Sequence, residues 1–255
     1  MLMYDSHIHL DQYTDAEIAN IMPQVEGVIA VATDLNSSKR LLELRKRYPV
    51  IQIAAGFHPE QPLLSADELN ALKRWIKQHR HDLSAVGEIG LPQYLRREGK
   101  VQSEEGYLNV LEELIQLAAE VDLPVALHAV YSDAETALHL LEHYKVRGHF
   151  HWFKAADATL NKVIAAGHYM SVTPDILWND KTRRVAEQVP ISQLMIETDG
   201  PWPHTGFGKS EISDMLSVII NEVTVIKKMK RDAVAHTLRM NTRTFYRLEA
   251  LDENR

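Results

Sequence analysis

The sequence predicts a closed parallel (β/α)8 barrel of the TIM type, and three observations predict it. Short apolar runs alternate with longer stretches of helical period. Eight such runs can be counted, each followed by helix-forming sequence, which implies parallel strands joined by right-handed crossovers. The length of 255 residues is that of one such barrel.

The expected strands are 2–4, 27–32, 50–55, 85–87, 125–127, 149–152, 169–172 and 194–196. Several are rich in Val, Ile and Ala with little polar alternation, as strands buried on both faces require. Helices are expected over 36–48, 65–79, 103–121, 133–144, 158–166 and 180–188. In the second of these, Ser65 and Glu68 make a capping-box pattern. In the third, Leu108, Leu111, Leu114, Ile115 and Ala118 share one helical face. Segment 211–246 is long enough for two helices. An open doubly wound sheet is the other arrangement for such a pattern, but no Gly-x-Gly-x-x-Gly follows the first strand. Without linker, internal repeat or low-complexity tract, residues 1–255 read as a single barrel domain.

Composition narrows the function. Hydrophobic residues make up 45% and charged residues 25%, the balance of a globular protein. Cysteine is absent, so disulfides and thiolate metal sites are excluded. No apolar run approaches the ~20 residues needed to span a bilayer, and the N-terminus lacks a basic-then-apolar leader pattern. The expectation is a cytoplasmic protein with no membrane contact. A net charge of −7 argues against a dedicated duplex-DNA module, which needs a basic surface. It leaves room for an enzyme that meets phosphates through bound cations.

The chemistry lies at strand ends. Thirteen histidines in this length give about 0.7 His-x-His pairs by chance, so Asp5-Ser6-His7-Ile8-His9 alone says little. Its company says more. The third strand runs into His58, the fourth into Glu88, the fifth into His128, the sixth into His151, and the eighth into Glu197 and Asp199. In a barrel that end is the active-site rim. Six polar groups converging there would be costly to bury without counter-charge. Two divalent cations sharing a carboxylate fit the set, and nitrogen and oxygen donors suit Mg²⁺, Mn²⁺, Zn²⁺ or Co²⁺.

Five blocks complete the pattern: Asp5-x-His7-x-His9, Gly56-x-His58-Pro59, Gly87-Glu88-Ile89-Gly90-Leu91, His151-x-Phe153 and Glu197-Thr198-Asp199-x-Pro201. In this order they resemble the signature of the TatD hydrolases, one of the amidohydrolase-like barrel families, and Asn241 and Phe245 resemble that family's closing residues. The resemblance spans essentially the whole chain. It implies that His7, His9 and Asp199 hold one cation, that His128 and His151 hold the other, and that Glu88 bridges them. It implies cation-dependent hydrolysis of phosphodiester bonds by a deoxyribonuclease that trims ends, with nucleic acid as substrate. His58 would line the site. One departure bears on substrate preference: Leu91-Pro92-Gln93-Tyr94 stands where the family continues with Asp and an aromatic.

In this reading Asp199 is the catalytic base and Glu197 orients groups behind the ligands. Arg96, Arg97 and Lys100 follow the fourth strand and either meet a substrate phosphate or form a solvated loop. Lys154, Lys181, Arg183 and Arg184 could extend a positive collar. The loop 200–204, with Trp202 and His204, could hold a nucleobase or simply pack. His149 is expected as an interior, hydrogen-bonded residue. Hydrolysis of a lactone, amide or small ester on the same scaffold, or a non-catalytic metal-binding barrel, are the other readings. Nothing points to an obligate protein partner.

Overall fold

The computed structural model describes residues 2–101 and 103–248. Eight parallel strands pair in sequence order. They are β1 Tyr4–Ile8, β2 Gly27–Val31, β3 Ile51–Ala55, β4 Ala85–Gly90, β5 Val125–His128, β6 Gly148–Phe150, β7 Tyr169–Val172 and β8 Leu194–Ile196. The α-helices among the described residues are α1 Asp15–Ile21, α2 Leu35–Arg47, α3 Ala66–Gln78, α4 Gln93–Arg97, α5 Glu104–Glu120, α6 Asp133–Tyr144, α7 Asp157–Ala165, α8 Asp180–Gln188, α9 Ile212–Lys227 and α10 Arg231–Phe245. This is the (β/α)8 barrel that the alternation of apolar runs requires. No helix among the described residues is long and apolar enough to cross a membrane.

Side chains alternate across the strands as a barrel demands. Ile29, Val31, Ala54, Ala85, Ala126 and Met195 point inward and pack on Phe245 and Tyr246, which plug the bottom. Val28, Ala30, Val86, Leu127 and Leu194 point outward into the shell packed by the helices. Polar residues take over toward the upper end: Asp5, His7, Glu88, Glu197 and Thr198 are wholly buried.

The first strand differs from expectation. The apolar signal placed it at 2–4, but it runs from Tyr4 to Ile8, because its inward positions carry polar groups that serve the barrel mouth. Helices α1 and α4 were not anticipated. The first is short but has a full capping box between Thr14 and Glu17. The second covers five residues after Pro92.

The β8–β1 seam closes differently from the other seven. The Asp199 N–H donates to the His7 carbonyl at 3.0 Å and the His9 N–H donates to the Gly200 carbonyl at 2.8 Å. Between them the buried Asp5 carboxylate accepts the Thr198 N–H at 3.0 Å and the Thr198 hydroxyl. A side chain thus replaces part of the backbone ladder where the first and last strands meet.

Candidate metal centre

Glu88 is the hub of the upper barrel. Its Oε2 lies 3.1 Å from His7 Nε2 and 3.3 Å from His9 Nε2. Its Oε1 lies 3.0 Å from His128 Nδ1, 3.0 Å from His151 Nε2 and 3.6 Å from His58 Nε2. Asp199 Oδ1 stands 3.6 Å from both His7 Nε2 and His9 Nε2. The six residues expected to meet do meet, and they form two sets, one on each oxygen of a single carboxylate.

Local irregularity places them. The β1–β2 register shifts between Asp5 and Ile8, and the β4–β5 register shifts between Val86 and Ile89. Each shift is a bulge that re-aims a ligand inward, at His7 and at Glu88. His9 lies beyond the end of β1, so its approach to His7 owes as much to this bend as to strand alternation. The neighbouring strands come close here. A Cβ on Gly90 would collide with the His128 carbonyl, and one on Gly56 would lie 2.7 Å from the Gly87 carbonyl carbon. Asp199 has φ of 52°, in the left-handed region that Asp tolerates. At the base of β8, the Asn241 amide donates to the Ile191 and Leu194 carbonyls, so α10 clamps the strand that delivers Asp199.

Charge follows geometry. Burial would raise the Glu88 pKa, but the imidazoles of His58, His151, His7 and His128 outweigh it and hold the carboxylate well below its usual range. Burial also opposes charge on His151, yet Glu88 and Glu197 outweigh it and lift its pKa well above the ordinary value. His9 and His58 go the other way: burial lowers each to about 4, against the pull of Glu88. The Asp5 carboxyl is pushed up to about 7 by burial, although Thr198 and His7 donate to it.

The donor set fits divalent cations. His151 turns Nδ1 to the Glu197 carboxylate at 3.3 Å, which places its proton there in the neutral ring. Its Nε2 lone pair then faces Glu88 Oε1 and also His128 Nδ1, 3.3 Å away. Lone pairs aimed at a carboxylate and at one another repel unless a proton or a metal cation stands among them. His58 is different: its Nδ1 accepts the Glu60 N–H at 3.2 Å, so in the neutral ring Nε2 carries the proton and can donate toward Glu88. His58 is therefore shaped as a donor more than as a ligand.

The family described as TatD related DNase matches residues 4–247. The chain belongs to the TatD family. A Haemophilus influenzae protein described as an uncharacterized metal-dependent hydrolase is 43% identical over 251 residues, covering 97% of this chain and all of that one. The crystal structure of the TatD homolog YjjV from Escherichia coli superposes with a TM-score of 0.80 at 25% identity, covering 97% of this chain and 98% of that chain. A human protein named a deoxyribonuclease is 26% identical over 213 residues, 78% of each chain. A metal-dependent hydrolase of the TatD family is thus established.

Around the TatD-type centre opens a cavity of about 770 Å³, lined by residues that include Gln12, Glu60, Tyr94, Lys154 and Trp202. The cations expected to ring it are mostly occupied. Arg96, expected either at a substrate phosphate or in a solvated loop, is paired within the protein: its Nε lies 2.7 Å from Glu104 and its Nη1 lies 3.1 Å from Asp133. Lys100 pairs with Glu98, Arg183 with Glu222, and Arg184 with Asp157. Arg97 is exposed and outside the cavity lining. Lys154 does line it, with its ammonium 3.5 Å from the Trp152 ring centre. His204 is buried behind the mouth and donates through Nε2 to the Thr198 carbonyl at 2.7 Å. His149 bonds Tyr246 and Ser171, both at 2.7 Å. Sequence reasoning missed Glu60, whose signal was an acidic residue two places after His58.

Proposed function

We propose that this metal-dependent hydrolase cuts phosphodiester bonds of DNA, at strand ends or in oligonucleotides. The observation that carries the reading is Glu88, with each of its oxygens facing its own set of ligands. His7, His9 and Asp199 would hold one divalent cation, His128 and His151 a second, and Glu88 both. Two cations so held would supply Lewis-acid charge, easing deprotonation of water and offsetting charge at an attacked phosphoryl group.

The chain's own residues do the rest. Asp199, on the side of the cavity, accepts the proton of the attacking water. Glu197 keeps His151 oriented through Nδ1. The His58 Nε2–H can donate at the floor of the cavity. Tyr94 and Trp202 line the cavity with partly exposed rings, and Leu177 and Trp178 are exposed on the neighbouring loop after β7. Aromatic faces at a mouth suit unstacked bases, which any nucleobase can supply. The naming of a relative as a deoxyribonuclease supports the same reading.

Hydrolysis of a small ester, lactone or amide is the second reading. Pairing of Arg96, Lys100, Arg183 and Arg184 with carboxylates favours it, because it leaves little positive surface for a long polyanion. One experiment separates the two. Protein reconstituted with Mg²⁺, Mn²⁺ or Zn²⁺ is offered single-stranded and duplex oligonucleotides, an aryl phosphodiester, lactones and amides, with products mapped. Mononucleotide release from oligonucleotides is expected. Turnover of lactones or amides with intact oligonucleotides would overturn the nuclease reading.

A further inference from the structure

Each of the two imidazoles that lie 3.0 Å from Glu88 Oε1 has a carboxylate at its far nitrogen. For His151 it is Glu197, at 3.3 Å from Nδ1. For His128 it is Glu60, at 3.4 Å from Nε2. Both carboxylates are immobilised by backbone donors. Glu197 accepts the Trp152 N–H at 2.8 Å and the Ser171 hydroxyl at 2.5 Å. Glu60 accepts the Tyr94 N–H on Oε1 and the Leu95 N–H on Oε2, both at 2.8 Å. These are the first-turn amides of α4. The far nitrogens of His7, His9 and His128 are all buried without a hydrogen-bond partner among the described residues, and of the three it is His128 Nε2 that faces a carboxylate oxygen, close enough for a small turn of the ring to close the bond.

A carboxylate behind an imidazole fixes which nitrogen carries the proton and raises the basicity of the other. His128 Nε2 is buried and has no nearer acceptor than Glu60 Oε1. Its Nδ1 lies 3.0 Å from Glu88 Oε1 and 3.3 Å from His151 Nε2, in the place where a cation would sit.

We propose that Glu60 is a positioning residue of the metal centre: it holds the His128 proton on Nε2, presents the Nδ1 lone pair to the cation on the Oε1 side of Glu88, and ties that cation to α4. The inference rests on the two-cation reading but not on the identity of the substrate. Because the same carboxylate anchors the turn that carries Tyr94, the wall of the cavity and the second cation share one support. A residue that only capped α4 would affect stability and leave cation binding alone.

The test reads metal and proton rather than activity. Apo protein is titrated with Zn²⁺ against a competing chelator, in the wild type, Glu60→Gln, Glu60→Ala and His128→Ala. Ring nitrogens are followed by two-bond ¹H–¹⁵N correlations. Wild type should bind two ions, with His128 in the Nε2–H form. Glu60→Gln keeps the size and one acceptor, and should weaken one dissociation constant about 10–100-fold while sparing the other. Glu60→Gln added to His128→Ala should weaken binding no further, since the pair acts as a unit. Should Glu60→Ala fail to fold, Glu60→Gln still decides. Two constants unchanged in folded Glu60→Gln, or an undisturbed Nε2–H signal there, would overturn this inference alone. A wild type that binds fewer than two ions would overturn the two-cation reading with it.

Discussion

Asp199 carries its carboxylate on a left-handed backbone whose N–H is already given to His7. Its position is thus set by the seam and not by its own contacts, and the carboxylate is left for chemistry. Asn would keep the shape and one ligating oxygen but could not take a proton. Asp199→Asn should fold, retain most of its metal and lose kcat about 10²–10⁴-fold. Turnover within a few-fold of wild type, measured on metal-replete protein, would remove Asp199 from the mechanism. His168 offers a residue-scale test of stability. Burial, helped by Arg147, lowers its pKa to about 4, and its neutral Nδ1 accepts the Gly148 N–H at 3.0 Å. The unfolded chain has the ordinary value near 6.5, so between these values it binds more protons than the native state. Stability contributed by neutral His168 is complete above about pH 6.5 and drains as pH falls toward 4, by up to about 1.4 kcal/mol per unit. His168→Asn should lower stability at pH 7 and flatten that slope. Parallel slopes in urea titrations of both proteins would refute the assignment.

At the scale of elements, α4 shows how a charged loop can be structural. Arg96 spans Glu104 at the start of α5 and Asp133 at the start of α6, stapling three helix ends. Arg96→Ala should lower Tm and leave the KM for oligonucleotides and its salt dependence unchanged; a flattened salt dependence would return Arg96 to phosphate binding. Trp202, 58% exposed at the mouth, makes the opposite prediction. Loss of one stacking platform is worth ~1–3 kcal/mol, so Trp202→Ala should raise oligonucleotide KM about 10–100-fold and spare a small aryl phosphodiester. An equal loss on both substrates would mean that Trp202 merely shapes the loop. These two residues mark the limit of what sequence can tell. Spacing shows that Arg96 and Trp202 follow strand ends, but pairing partners such as Asp133, 37 residues away, exist only in three dimensions. Strands β2 and β8 were legible because apolar residues fill both faces, and β3 and β7 because Ile51 with Ile53, and Met170 with Val172, keep one face apolar. The first was misplaced because Asp5 and His7 occupy its inner face, where periodicity expects apolar residues. The bulges that aim His7 and Glu88 have no composition signature at all.

For the whole molecule, the alternation of eight runs was enough to read the barrel, and motifs at their ends were enough to gather the metal ligands. The layer behind them was read only in part: Glu197 was given its orienting role and Asp5 and Asn241 were picked out by motif, but Glu60 and the hydrogen bonds through which Asp5 and Asn241 act exist only in three dimensions. That layer and the buried ligand cluster make metal a folding partner. Ions bound only by the native state add RT ln(1 + [M]/Kd), about 2.7 kcal/mol at a hundredfold excess over Kd. Thorough chelation should therefore lower Tm, and re-addition of metal should raise it with the logarithm of concentration. A Tm indifferent to metal would mean that the cluster binds no ion tightly.

The seam has a temporal meaning as well. Asp5 and Thr198 are 193 residues apart along the chain, and the ligands on either side of them are the first and last to be made. Along the chain His7 and His9 come first, and Asp199 follows only after seven further strands and eight helices. Until then the first strand has no neighbour on one edge, and its two imidazoles face no second carboxylate. A chain interrupted before the eighth strand lacks both Asp199 and the partners that Asp5 and His7 meet across the seam, so it should be inert and not merely weakened.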